Sequence, residues 1–202
     1  SFTELNLWLL ARCRTLWQEL RHPEYDLRLA ELLEQEQPHL MPMIVPFDGY
    51  VETLGKVSST CLVTLDRNRY SVPCELVGQM VGIRIYPERI DLVAHDAVVA
   101  SHLRSFSRME TRYDWQHYIP LIARKPGALR NGAPFADLPA PMQKLRGLLL
   151  KREGGDRIMA QVLSAVPGHG LDAVLVAVEL VLESGIPSSE HIENVLHRLK
   201  AV

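Results

Sequence analysis

Cysteine is scarce in this chain of 202 residues, and the three present, Cys13, Cys61 and Cys74, stand far apart with no CxxC spacing. That excludes a zinc cluster of the usual spacing and a disulfide framework. They read as small buried hydrophobes in a reducing, cytoplasmic setting. No apolar run approaches the roughly 18 residues that span a bilayer, so no membrane contact is expected. A charged-then-apolar leader is also missing. The loop holding Gly127 and Gly132 lacks a following Lys-Ser/Thr pair, so it does not read as an ATP phosphate cradle. His95, His102 and His117 are scattered, with no elbow motif to present a nucleophile. Metal-assisted phosphoryl transfer needs clustered carboxylates. Here Glu31, Glu34 and Glu36, and again Glu179, Glu183, Glu190 and Glu193, take spacings that suit solvated helix faces. No metal or other cofactor is therefore expected on this chain. Its start at Ser1, inside an amphipathic pattern, reads as a piece of a longer protein.

What is present is an uneven charge. The net charge is −2, but residues 101–152 carry ten basic and three acidic side chains, net +7. Residues 1–60 and 153–202 are each net −4. A polyanion would be drawn to that one block of about fifty residues.

The hydrophobic period changes along the chain. Leu5, Trp8, Leu9, Cys13, Leu16, Trp17 and Leu20 recur at helical steps, predicting a helix over 3–20 with Thr3 as N-cap and His22-Pro23 as its stop. A short helix follows Asp26 and ends before Pro38, and Pro38, Pro42, Pro46 and Gly49 make 38–49 an extended linker. From 50 to 104 the period is two. Strands are expected at 60–65, 69–72, 80–86, 90–94 and 98–103, with turns at Asp66-Arg67-Asn68, Pro87-Glu88 and His95-Asp96. Five or six short strands suggest a small antiparallel barrel. Residues 105–140 are rich in Pro, Gly and aromatics, with a short helix beginning near Asp114 and a loop over 125–134. Helices return at 141–152, 156–166, 171–184 and 188–200, punctuated by Gly154-Gly155, Pro167-Gly168 and Gly185-Ile186-Pro187. Ser188 or Ser189 serves as an N-cap. Leu171–Leu182 is apolar almost all round, so it should be a bundle centre or a buried interface. The expected class is α+β: a small antiparallel β-barrel flanked by an N-terminal helix and a C-terminal helical bundle. The division is 1–49, 50–104, 105–140 (a basic connector) and 141–202.

Several ordered motifs carry a resemblance. Pro46-Phe-Asp-Gly-Tyr-Val-Glu52, Arg67-Asn-Arg-Tyr-Ser-Val-Pro73, Tyr113-Asp-Trp115, Lys125-Pro-Gly-Ala-Leu-Arg-Asn-Gly-Ala-Pro-Phe135 and Gly154-Gly-Asp156 resemble the C-terminal half of IstA-type insertion-sequence transposases. The resemblance spans essentially the whole chain. It implies an upstream integrase-like core whose Asp, Asp and Glu bind divalent metal, then a barrel similar to that of Mu transposase, then a helical tail. It also implies transposon-end DNA, other transposase subunits and an IstB-type ATPase as partners. Residues 1–49 would be the helical end of the core plus the linker, so no catalytic carboxylate maps to a residue here and the chain is expected not to be an enzyme by itself.

The DNA-contact candidates are Arg104, Arg108 and Arg112, then Arg124, Lys125 and Arg130 around a glycine-containing loop whose N–H groups could approach phosphate, and Arg67 and Arg69 near a hairpin turn. Arg84 and Arg89 also sit near turns. Lys144, Arg146, Lys151 and Arg152 extend the basic block. Tyr113, Trp115 and Tyr118 are interleaved with it. Backbone contact without sequence reading is expected. The alternative is a protein-interaction module for transposase oligomerisation or an ATPase helper, in which the aromatics pack the connector and the arginines pair with acids.

Overall fold

The computed structural model describes residues 1–45, 47–130, 132–185 and 188–200. Pro46 in the linker, Asn131 in the glycine-containing loop and the Ile186-Pro187 punctuation lie outside the described residues, as does the side chain of Ser189. Two compact units are present, Ser1–Asp48 and Gly49–Val202.

In the first unit, α1 spans Phe2–Glu19. Its cap is Ser1 rather than Thr3: the Ser1 hydroxyl accepts from the Glu4 N–H at 3.3 Å, and the Glu4 carboxylate accepts from the Ser1 amine at 2.7 Å. This capping box satisfies donors that the first turn leaves free. The chain becomes extended at Leu20, ahead of His22-Pro23. An Arg21–Asp26 ion pair and an Arg21–Arg28 bridge close the connection to α2, Leu29–Glu36. A 3₁₀ turn over Gln37–His39 follows, because Pro38 has no N–H to continue an α-helix. Neither α1 nor α2 contains a buried residue.

The second unit opens with β-structure. A four-stranded sheet has the order β1-β4-β5-β6, and every neighbouring pair in it is antiparallel. Its strands are β1 Val51–Lys56, β4 Met80–Ile85, β5 Arg89–Ala94 and β6 Ala97–Leu103. A second sheet, β2-β3-β7, joins β2 Leu62–Leu65 antiparallel to β3 Asn68–Ser71, and β3 parallel to the two-residue β7, Thr111–Arg112. The class is therefore α+β, as expected, with one parallel pair added. The described pairings form two ladders, and no pairing among them closes a barrel.

Alternation explains the core. Val81 and Ile83, and then Ile90, Leu92 and Ala94, are buried with Val63 and Tyr70 of the second sheet and with Val72 just past it. Strand β1 comes close over this core: a Cβ on Gly55 would lie 2.6 Å from Val63 Cγ1 and 2.8 Å from Ile83 Cδ1. Two of the hairpin turns, Asp66-Arg67 and His95-Asp96, hold two consecutive left-handed residues (φ 49°, 67° and 50°, 61°). Such turns match the twist of the flanking strands, but they usually contain glycine.

Beyond β7 the chain turns helical. A 3₁₀ turn at Trp115–Tyr118 leads into α3, Ile119–Arg124, and further 3₁₀ turns occupy Pro126–Leu129 and Ala133–Phe135. Then come α4 Ala140–Leu149, α5 Gly155–Ser164, α6 Val166–His169, α7 Leu171–Ser184 and α8 Ser189–Lys200. Pro167-Gly168 thus lies within α6 instead of separating helices. Leu129, Phe135, Met142, Leu145, Leu149, Met159, Leu163, Val178 and Leu196 share one core. The α7 helix is buried along a stripe, Val174, Ala177, Val178 and Val181, rather than all round, and Val176 and Leu180 are exposed. Close packing fixes the start of α5, where a Cβ on Gly155 would sit 1.8 Å from the Leu149 carbonyl oxygen. Among the described residues, no helix is long and apolar enough to cross a membrane.

Candidate nucleic-acid interface

Strand β3 organises the cationic edge. Successive side chains of a strand point to opposite faces, and here Asn68 and Tyr70 are buried while Arg67 and Arg69 are exposed. The Asn68 amide donates to the carbonyls of Ser105 (3.1 Å) and Ser107 (2.8 Å), and its oxygen accepts the Glu110 N–H (3.1 Å). The Tyr70 hydroxyl accepts the Ser105 N–H at 3.0 Å. Backbone bonds add to this: Met109 N–H donates to Arg67 O (3.1 Å) and Arg69 N–H to Glu110 O (2.9 Å). The Ser105 hydroxyl donates to the Glu110 carboxylate at 2.7 Å, and this bond is the main reason that carboxyl lies below its usual range. Segment 104–110 is thereby fixed against the β2–β3 turn. The four-residue step of Arg104, Arg108 and Arg112 is not a helical face.

A second fastening lies one residue further along. Ser71 is fully buried, and its Oγ accepts the Asp114 N–H (2.7 Å) and pairs with His117 Nδ1 (2.8 Å). The other ring nitrogen of His117, Nε2, stands 3.7 Å from Asp114 Oδ2. His102 Nε2 donates to the Ser71 carbonyl at 2.7 Å. Burial holds both imidazoles below their ordinary value. This serine, histidine and aspartate meet through packing, and the serine has no solvent access. Tyr118 donates to Thr60 O at 3.1 Å, and Trp115 and Tyr118 are buried. Both belong to the helical core with Leu129 and Phe135, where Cys61 joins them.

The structure brings Arg67, Arg69, Arg104, Arg108 and Arg112 to one edge, around β3 and β7. Arg104 pairs with Asp66 (3.4 Å) and donates to Tyr86 O (3.3 Å), and Arg112 pairs with Glu110 (3.0 Å). Arg67, Arg69 and Arg108 are exposed and make no ion pair among the described residues. The Arg112–Glu110 pair is exposed, and such pairs are worth about 0–1 kcal/mol, so a phosphate can replace that carboxylate.

The remaining candidates lie on the helical side. Arg124 lines an open cleft of about 710 Å³ with Arg157, Gln161, His169, Glu193 and His197. Lys125 is exposed. Arg130 donates to Leu150 O (3.3 Å) and stands 4.0 Å from Asp156. In the adjoining loop the N–H groups of Ala128 and Arg130 already donate to Lys125 O and Gly127 O.

Other cations are engaged within the fold. Arg146 on α4 donates to Leu129 O (2.7 Å) and Phe135 O (3.3 Å), holding the connector onto the helices. Lys151 and Arg152 lie beyond the end of α4. Arg84, next to the end of β4, lies 3.8 Å from Glu52, and Arg89 pairs with Asp91 at 3.2 Å and stacks on Tyr86.

Sequence reasoning missed Asn68, Ser71 and Ser105. The available signal was Asn68, a polar side chain at a position that alternation with Tyr70 assigns to the interior; alternation puts Ser71 on the Arg69 face, so its burial left no such signal. It also missed Phe106 and Met109, which stand exposed among these arginines.

Residues 41–114 match the Mu transposase C-terminal domain. The chain is 48% identical over 204 residues to a transposase for insertion sequences IS1326/IS1353 from Pseudomonas aeruginosa, covering 98% of this chain and 40% of that protein. It is 45% identical, with the same coverage, to a transposase of Aminobacter aminovorans. It is 29% identical to the transposase for insertion sequence element IS232 of Bacillus thuringiensis, over 46% of this chain and 22% of that protein. The chain thus spans about two fifths of the length of the first two. No solved structure matches it.

Proposed function

The chain belongs to the insertion-sequence transposases and carries a Mu transposase C-terminal domain, and from this premise we propose that it is a DNA-holding, non-catalytic part of such an enzyme. In this reading the edge formed by Arg67, Arg69, Arg104, Arg108 and Arg112 grips the backbone of transposon-end DNA in the cytoplasm. Arg124, Lys125 and Arg130 extend the contact. The carboxylates and metal ions of strand transfer belong to the remainder of the enzyme. The two sheets act as one barrel-like module, 105–140 is the basic connector, and 141–202 is an assembly domain. The exposed Val176 and Leu180 of α7 suit contact with another transposase subunit or an IstB-type ATPase.

One observation carries the reading: Arg67, Arg69 and Arg108 are exposed, without acidic partners among the described residues, on an edge that buried hydrogen bonds hold rigid. A cationic edge whose backbone is already fixed loses little loop entropy when it meets phosphates. The test is a gel-shift titration of the 202-residue chain with terminal-repeat and random duplexes at several salt concentrations. About four neutralised phosphates give a slope of log affinity against log salt near −4, and each arginine lost removes roughly one. R67E and R108E are expected to weaken binding to both duplexes alike. No shift at any salt would leave the protein-interaction module in its place.

A further inference from the structure

Two large apolar side chains stand out on the cationic edge. Phe106 and Met109 are each 77% exposed, and they belong to the segment that Asn68, Tyr70 and Ser105 fasten down. Met109 adopts φ 65°, a left-handed conformation that disfavours a residue with a long side chain. The Met109 N–H bond to Arg67 O holds it there. Backbone strain of this sort persists only where the surroundings over-determine it.

Cations surround these apolar groups. The Arg104 guanidinium lies over the Phe106 ring, 5.0 Å from its centroid. Arg108 follows two residues later, and Arg67 adjoins Met109 through the backbone bond. An apolar protein partner would have to desolvate these arginines without compensation. Duplex DNA presents both complements together, phosphates for the guanidinium groups and base faces, a few ångströms away, for the ring.

We propose that Phe106, supported by Met109, is a wedge that stacks on a base at an opened step of duplex DNA while Arg67, Arg104 and Arg108 hold the flanking phosphates. This rests on the DNA-backbone reading above and adds to it a preference for distorted duplex. Opening a stacked step costs energy that a pre-opened site does not require.

The test is competition binding of the 202-residue chain to two 30-base-pair duplexes of the same sequence, one fully paired and one with a central two-base mismatch. The unchanged chain should prefer the mismatched duplex by about fivefold or more, the size of a base–aromatic stacking contact. Because the ring is exposed, F106A leaves the fold intact. It should lose the preference while keeping the salt slope on paired DNA, and F106W should restore it. Equal binding of the two duplexes with a normal salt slope overturns the wedge and leaves the backbone reading standing. Retention of the preference in F106A also overturns the wedge. Absence of binding to either duplex overturns both readings.

Discussion

Asn68→Ala should be among the most damaging substitutions of a polar residue in this chain. Asn68 is fully buried, and its side chain fills three of its four hydrogen-bonding positions, on Ser105 O, Ser107 O and the Glu110 N–H. A buried neutral hydrogen bond contributes about 1 kcal/mol net, and a group left unsatisfied costs about 1–3 kcal/mol. Two of the three bonds are only partly buried, so water can reach part of what is orphaned. The expected loss is therefore about 2–3 kcal/mol. Asn68→Asp is a sharper probe, since the carboxylate retains the acceptor for Glu110 N–H but turns an oxygen toward two carbonyls, near the Glu110 carboxylate. It should be at least as destabilising as alanine. Urea unfolding monitored by tryptophan fluorescence gives the stability change, and hydrogen exchange of the 105–110 amides reports whether the loss is local. A change below about 0.5 kcal/mol in both variants, with exchange unaltered, would refute the claim that Asn68 holds the loop.

Other outcomes follow from particular contacts. Burial depresses the pKa values of His102 and His117 from the ordinary 6.5, with Asp114 and Glu75 pulling His117 the other way; below about pH 6.5 the unfolded chain therefore takes up protons that the folded one resists. Stability should be full above that pH, fall as pH drops, and level off once the folded rings also protonate. Urea midpoints at pH 7.5 and 5.5 should differ, and less so in His117→Gln; equal midpoints in the unchanged chain would contradict the buried cluster. Gly155→Ala, whose Cβ meets the Leu149 carbonyl, should destabilise by about 3 kcal/mol or more. Gly147→Ala, on α4 with open space around it, should stabilise by up to about 1 kcal/mol, and thermal melts of the two should move in opposite directions. Burial pushes the Cys61 thiol to about 11 and raises that of Cys74. Cys13 is exposed, so a colourimetric thiol reagent at pH 8 should label Cys13 in the native chain and reach Cys61 only after denaturation.

The legible parts of the fold were those with a clear period. Met80–Ile85 and Arg89–Ala94 alternate because one face meets the core. The turn at His95-Asp96 and the limits of α7 also follow from local chemistry. Strand β1 escaped because it is a sheet edge, with burial only partial at Gly55 and no alternation to read. Strand β7 is two residues long and exists only because β3 offers it a partner. Thr3 lost the N-cap to Ser1 because Ser1-Phe-Thr-Glu4 has the spacing of a capping box, while Thr3 has Asn6 in the place of the acid. The charge count located the cationic block but is blind to geometry. It gave equal weight to Arg108, which is exposed, and to Arg146, which is bound to carbonyls of its own connector. Arg67 and Arg69 fell outside that block in sequence, and strand pairing with β7 brings them back to it.

The bonds from β3 to positions 31 to 46 residues later bear on how this piece of protein can be divided. A cut after Leu103 would strand Asn68 and Ser71 in the interior with nothing to bind, and a graft of the sheets alone onto another enzyme would inherit that defect. Sheets and connector must therefore be exchanged, trimmed or engineered as one indivisible cassette, however different their compositions look.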